Sequence, residues 1–119
     1  MYFIISLRFQ TALLSYHSNY KISPKAEKYI KKIKDKELKD KFRDAIKEIR
    51  ENPAVGTLKK AKLGGIRGYD LFHQGVNYEI AYEIVENDGI FIIIILAGTR
   101  ENFYAELEKY IKNRRKDLG

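Results

Sequence analysis

The chain has 119 residues, a formal charge of +7 from 23 lysines and arginines against 16 aspartates and glutamates, and neither cysteine nor tryptophan. That length makes one domain, whose single core buries roughly two-thirds of the surface exposed by the unfolded chain. The lack of cysteine excludes disulfide scaffolds, zinc ribbons and thiol catalysis, and leaves His17 and His73 as the nitrogen metal ligands, so neither a metal nor a cofactor is expected.

Residues 1–19 have the weakest pattern. Met1 to Phe9 suits a strand or a short apolar helix and lacks the positive start and small-residue cleavage site of a secretory signal. A cytoplasmic extension is expected here, the alternative being a start codon placed ahead of a domain that spans 20–119; His17 receives no role. A strand is expected around Tyr20 to Ile22. Ser23-Pro24 then reads as a helix start, with serine as N-cap and proline at the first helical position, where its missing N–H costs nothing. Ala26, Tyr29, Ile30 and Ile33 fall on one face and Lys25, Lys28, Lys31 and Lys32 on the others. Asp35 caps a second helix with an apolar stripe of Leu38, Phe42, Ala45, Ile46 and Ile49, which ends before Asn52-Pro53 because a residue preceding proline is pushed out of the helical region.

The period changes after Gly56. Gly64-Gly65 and Gly68 punctuate an expected loop that carries Lys59, Lys60, Lys62 and Arg67. Tyr69, Leu71 and His73 then alternate with Asp70, Phe72 and Gln74, and Tyr78, Ile80, Tyr82 and Ile84 alternate with Asn77, Glu79, Ala81 and Glu83, predicting two strands, the second with one apolar face. Asn87-Asp88-Gly89 is a tight-turn signal leading back into Ile90 to Ala97. That run is too short for the roughly 20 residues of a membrane helix and, apolar on both faces, belongs mid-sheet. Thr99 is expected to cap a last helix with Phe103, Leu107, Tyr110 and Ile111 on one face. The fold class is therefore α+β, a helical hairpin packed on a small, mostly antiparallel sheet in the order β-α-α-β-β-β-α.

Charge is unevenly spread. Residues 21–75 carry a surplus of eight positive charges, whereas 76–97 contain only Glu79, Glu83, Glu86 and Asp88. A basic helical half points to a polyanionic or acidic partner, or to a simply solvated face.

The element order, with Ile22-Ser23-Pro24-Lys25-Ala26-Glu27 at its front and Gly98-Thr99-Arg100-Glu101-Asn102-Phe103-Tyr104 at its back, resembles the RelE/ParE superfamily of bacterial toxins, over about residues 20 to 111. Glu51-Asn52-Pro53 and Gly65-Ile66-Arg67-Gly68-Tyr69 add to the likeness. The resemblance implies a toxin of a type II toxin–antitoxin system, restrained by a cognate antitoxin. RelE-like and YafQ-like members cut mRNA in the ribosomal A site; ParE-like members inhibit DNA gyrase by binding, and the fold does not choose between them.

Metal-free RNA cleavage needs a base for the 2′-hydroxyl, a cation for the pentacovalent phosphate and an acid for the leaving 5′-oxygen. Arg100, after the central strand, suits a bidentate phosphate grip, and Tyr104, one helical turn on, suits stacking or hydrogen bonding. His73 has a side chain suited to proton transfer near neutral pH and matches a functional histidine of YafQ-like toxins. Glu79 stands where RelE-like members carry an arginine; it is either a base, as proposed for YoeB-like relatives, or half of a cross-strand ion pair. Lys59, Lys60, Lys62 and Arg67 supply sequence-independent contacts to rRNA or mRNA phosphates, and Tyr78 either contacts RNA or joins the core. A single site requires His73, Arg100 and Tyr104 to face one surface. The leading expectation is thus a cytoplasmic, metal-independent endoribonuclease toxin whose partners are an antitoxin, the ribosome and mRNA, without a membrane; the alternative is a gyrase inhibitor or an inactive homologue that only binds.

Overall fold

The computed structural model describes residues 19–59, 65–86, 89–101 and 103–118, the side chains beyond residue 113 excepted. Met1 to Phe9, His17, Lys60 and Lys62 therefore lie outside the described residues. The elements are β1 (Asn19–Ile22), α1 (Pro24–Lys31), α2 (Lys36–Glu51), a 3-10 turn (Pro53–Val55), β2 (Thr57–Leu58), β3 (Arg67–His73), β4 (Val76–Glu86), β5 (Ile90–Thr99) and α3 (Phe103–Leu118). One five-stranded sheet has the order β1-β5-β4-β3-β2. Its pairs are antiparallel except for β1 and β5, which run parallel.

Both helix starts follow from their caps. Ser23 Oγ accepts the Ala26 N–H at 3.0 Å and donates to Ile95 O at 2.7 Å, which ties the start of α1 to the sheet. Asp35 Oδ1 accepts from Glu37 N and Leu38 N at 3.0 and 3.2 Å, satisfying donors that an uncapped helix leaves orphaned. The α2 stripe of Leu38, Phe42, Ala45 and Ile49 is buried with Ile80, Tyr82, Ile92, Ile94 and Ala97 in the larger core. The smaller core lies on the other face, where Phe103 and Leu107 of α3 cover Ile66, Ala81, Ile95 and Leu96. A bulge on β5 opposite Ala81 and Tyr82 breaks the alternation, so Ile95 and Leu96 both serve this second core. Both faces of the central strands are covered, the arrangement expected of the apolar run in β5.

Three expectations change. The stretch around Arg67 and Gly68 is not loop: Thr57 and Leu58 pair with Gly68 and Arg67, adding a short edge strand that extends the predicted order. Two residues are too short a run for a period to show. Thr99 does not cap α3, because β5 runs through it and the helix begins at Phe103. Finally, the polar face of β4 is covered as well as its apolar one, since Glu79 and Ala81 there are also buried. Gln74 and Gly75, with φ of 48° and 78°, form the two-residue turn between β3 and β4. Consecutive positive φ values match the right-handed twist of the flanking strands. Among the described residues, no helix is long and apolar enough to cross a membrane.

Candidate functional site

The β3–β4 register sets the site. With a two-residue turn, His73 and Val76 are the closing pair, so Phe72 with Asn77 and Asp70 with Glu79 are pairs lacking mutual backbone hydrogen bonds, whose side chains approach most closely. These pairs share the α3 face. On its other side, Glu79 pairs in register with Gly98 of β5.

Glu79 has no exposed surface. Lys59, just past β2, places Nζ 2.6 Å from Glu79 Oε2, and Arg100 Nε lies 3.9 Å from Oε1. The short ammonium contact is off the axis of a good hydrogen bond, and neither carboxylate oxygen has an aligned donor. Burial pushes the Glu79 carboxyl above the usual carboxylate range, against the opposing pull of Lys59. Space for the pair comes from Gly68: a Cβ there would collide with Glu79 Oε2 and Lys59 Cε. This explains a glycine inside a strand.

Lys59 Nζ also donates to Tyr104 Oη at 2.9 Å and lies 5.0 Å from that ring's centroid. Burial lowers the Lys59 pKa, but the adjacent Glu79 carboxylate and the Tyr104 hydroxyl outweigh this, so it is raised overall. Arg100 sits in the turn between β5 and α3, its backbone N–H bonded to Asn77 O at 3.0 Å. Its guanidinium is about half exposed, 3.8 Å from Asp70 Oδ2. Hydrogen bonding to Tyr104, then the charges of Asp70 and Glu79, raise its pKa. Lys59, Glu79, Arg100 and Tyr104 thus converge from four segments, with Asp70 as a fifth member that the alternation placed in a strand without marking its role. Its signal is the register that sets it opposite position 79 and within reach of Arg100, legible only once the strands are paired.

The other candidates lie elsewhere. His73 has the opposite strand parity from Asp70 and faces the helical hairpin, where it is buried; its Nε2–H donates to Asp35 Oδ2 at 2.9 Å and its Nδ1 is 3.6 Å from Glu37 Oε1. The expectation that it shares a surface with Arg100 and Tyr104 is corrected: the sheet separates them. Arg67 likewise points to the hairpin side, where it donates to Gly56 O at 2.8 Å and braces the 3-10 turn. Tyr78 packs edge-on against Phe42 in the larger core, ring centroids 5.8 Å apart, so it stands off the site. Among the described residues no three His, Asp or Glu side chains gather as metal ligands.

Residues 20–108 match the sequence model of the ParE-like toxins of type II bacterial toxin–antitoxin systems. No curated protein sequence matches the chain. Solved structures do. A doubly substituted E. coli toxin RelE in the free state is similar with a TM-score of 0.63 at 14% identity, covering 82% of this chain and 97% of that one. A chain of the intact E. coli RelBE toxin–antitoxin complex gives 0.56 at 16% identity, with 68% and 94% covered. A chain of the RelBE2 toxin–antitoxin complex from Mycobacterium tuberculosis gives 0.54 at 16% identity, with 71% and 99% covered. At these identities the likeness is one of fold.

Proposed function

The chain belongs to the ParE-like toxins of type II bacterial toxin–antitoxin systems, and on that premise we propose that it arrests translation by cutting mRNA on the ribosome without a metal. The observation that carries this reading is the convergence of Lys59, Arg100 and Tyr104, directly or through one another, on the buried Glu79 carboxylate. A carboxylate whose pKa burial has raised is a stronger base than an exposed one. Glu79 takes the proton of the 2′-hydroxyl as O2′ bonds to phosphorus. Arg100 holds the charge that gathers on the phosphoryl oxygens, a role suited to its bidentate fork. The bond from phosphorus to O5′ breaks, and the leaving oxygen receives a proton from the Lys59 ammonium or the Tyr104 hydroxyl. The products are a 2′,3′-cyclic phosphate and a 5′-hydroxyl. In the free chain Lys59 covers Glu79, and a substrate phosphate competing for that ammonium opens the carboxylate. Lys60 and Lys62 add phosphate contacts; His73, Arg67 and Tyr78 have no part in this scheme.

The restraining partner is a small antitoxin, a reading supported by the likeness to chains from two toxin–antitoxin complexes. Its acidic or amphipathic segment is drawn to the basic hairpin by charge, and the setting of the reaction is the cytoplasm. A second reading rests on the complete burial of Glu79 in the free chain: a toxin that binds DNA gyrase and cuts nothing. Purified protein in a translation extract separates the two. Codon-positioned cuts that fall by about 100- to 1,000-fold in Arg100→Ala support the nuclease. Intact mRNA together with blocked gyrase supercoiling overturns it in favour of the second reading.

A further inference from the structure

Phe72 is the most exposed large hydrophobic side chain among the described residues, 59% open to solvent near the tip of the β3–β4 hairpin. Its position is not that of a frayed end. The Gln74-Gly75 turn closes the hairpin directly beyond it, and Lys41 Nζ of α2 donates to Phe72 O at 2.9 Å, holding the backbone from the outer edge of the sheet. Nor does the ring belong to an apolar patch. The residues sharing its face are Asp70, two positions along β3, and exposed Asn77, directly opposite on β4. The nearby apolar Val76 has the other parity and pairs with His73.

What surrounds the ring is the candidate site. Asp70 stands roughly 7 Å along the strand from Phe72, and Arg100 is 3.8 Å from the Asp70 carboxylate. The Arg100 backbone N–H is itself bonded to the carbonyl of Asn77, Phe72's cross-strand partner. A held, exposed aromatic face, a primary amide and a guanidinium therefore sit side by side on one surface. A protein docking face would need contiguous apolar area, which this surface lacks. A single unpaired nucleobase needs only a flat ring to stack on and a polar group at its edge.

The geometry points to a nucleobase subsite in which Phe72 stacks an unpaired base of the nucleotide next to the scissile phosphate and Asn77 faces its edge. This inference rests on the nuclease reading and assigns that site its first contact with a base as opposed to a phosphate. Because stacking tolerates any base with a π-face, Phe72 sets position on the strand more than sequence, whereas Asn77 is placed to discriminate.

The test is a coupling measurement on the ribosome, where loss of the base and loss of the ring are combined. Wild-type protein and the Phe72→Ala, Phe72→Leu and Phe72→Trp variants are given mRNAs that carry either a normal or an abasic nucleotide on each side of the cut. Removing one of the two bases should slow cutting by wild type and Phe72→Trp by about 5- to 100-fold, the range for one aromatic–base stack. The same removal should scarcely alter the residual rate of Phe72→Ala or Phe72→Leu. Equal slowing of the variants on normal and abasic mRNA, as an apolar contact to a ribosomal protein would give, overturns the subsite while leaving the nuclease reading intact. If wild type cuts neither mRNA, the nuclease reading fails and the subsite with it.

Discussion

The two faces of the sheet treat buried polar groups differently. On the face covered by α1 and α2, Tyr82 is completely buried, yet its hydroxyl donates to Pro53 O at 2.6 Å and accepts from Gly56 N at 2.8 Å. His73 on the same face is answered by Asp35 and Glu37. On the face crossed by α3, Glu79 is equally buried, and both its oxygens lack an aligned donor. A buried group without good partners costs stability, so a fold retains one where something other than stability is served. The hairpin face is built for cohesion, and the α3 face keeps a carboxylate under tension beside an exposed arginine, tyrosine and phenylalanine.

Substitution can break that contrast. Under the nuclease reading, Glu79→Gln should lower mRNA cutting by about 100- to 10,000-fold, the range for losing a general base. Urea unfolding of the same variant should show unchanged or increased stability, because the amide removes a buried charge from poorly aligned partners. A clear loss of stability would instead make Glu79 a structural member of an ion pair and erase the difference between the faces. Tyr82→Phe should do the reverse. It leaves Pro53 O and Gly56 N unanswered and should cost about 1 to 3 kcal/mol in urea unfolding, with the cutting rate per folded molecule unchanged.

The larger core was the more legible of the two in the sequence. Its residues repeat at helical spacing in α2 and alternate in β4, and the caps at Ser23 and Asp35 mark where each helix begins. The short edge strand β2 left no trace, because two residues carry no period. The site was legible in parts: Arg100 and Tyr104 follow from their place after the central strand, and Glu79 from its departure from the family pattern. That His73 would stand apart was already implied by parity, since alternation puts positions 70 and 73 of one strand on opposite faces. Lys59 read as one of several loop cations. Only folding shows that the bare backbone of Gly68 lets its ammonium reach Glu79, and that register sets Asp70 opposite the same carboxylate. A pairing register between distant segments is not written in local sequence.

The smallest expected effect is in pH dependence, and there the two faces have opposite signs. The Asp35 carboxyl lies below its ordinary value of 3.8, chiefly through the hydrogen bond from His73. A lowered folded pKa adds stability that is present above the unfolded value and is lost as pH falls through the folded one. Glu79 is held above its ordinary 4.5 by burial. A raised folded pKa means that the folded chain grips the proton harder, so this group's cost is absent below the unfolded value and grows as pH rises through the folded one. Asp35→Asn keeps an N-cap acceptor and removes only the charge. At neutral pH it should therefore be less stable than wild type, with the gap closing as acid takes the pH below 3.8. Glu79→Gln should be the more stable protein at neutral pH, with its advantage shrinking towards and below 4.5. Urea midpoints taken from pH 3 to 8 read both differences, and two gaps of the same sign would show that the faces do not differ in the way their hydrogen bonds imply.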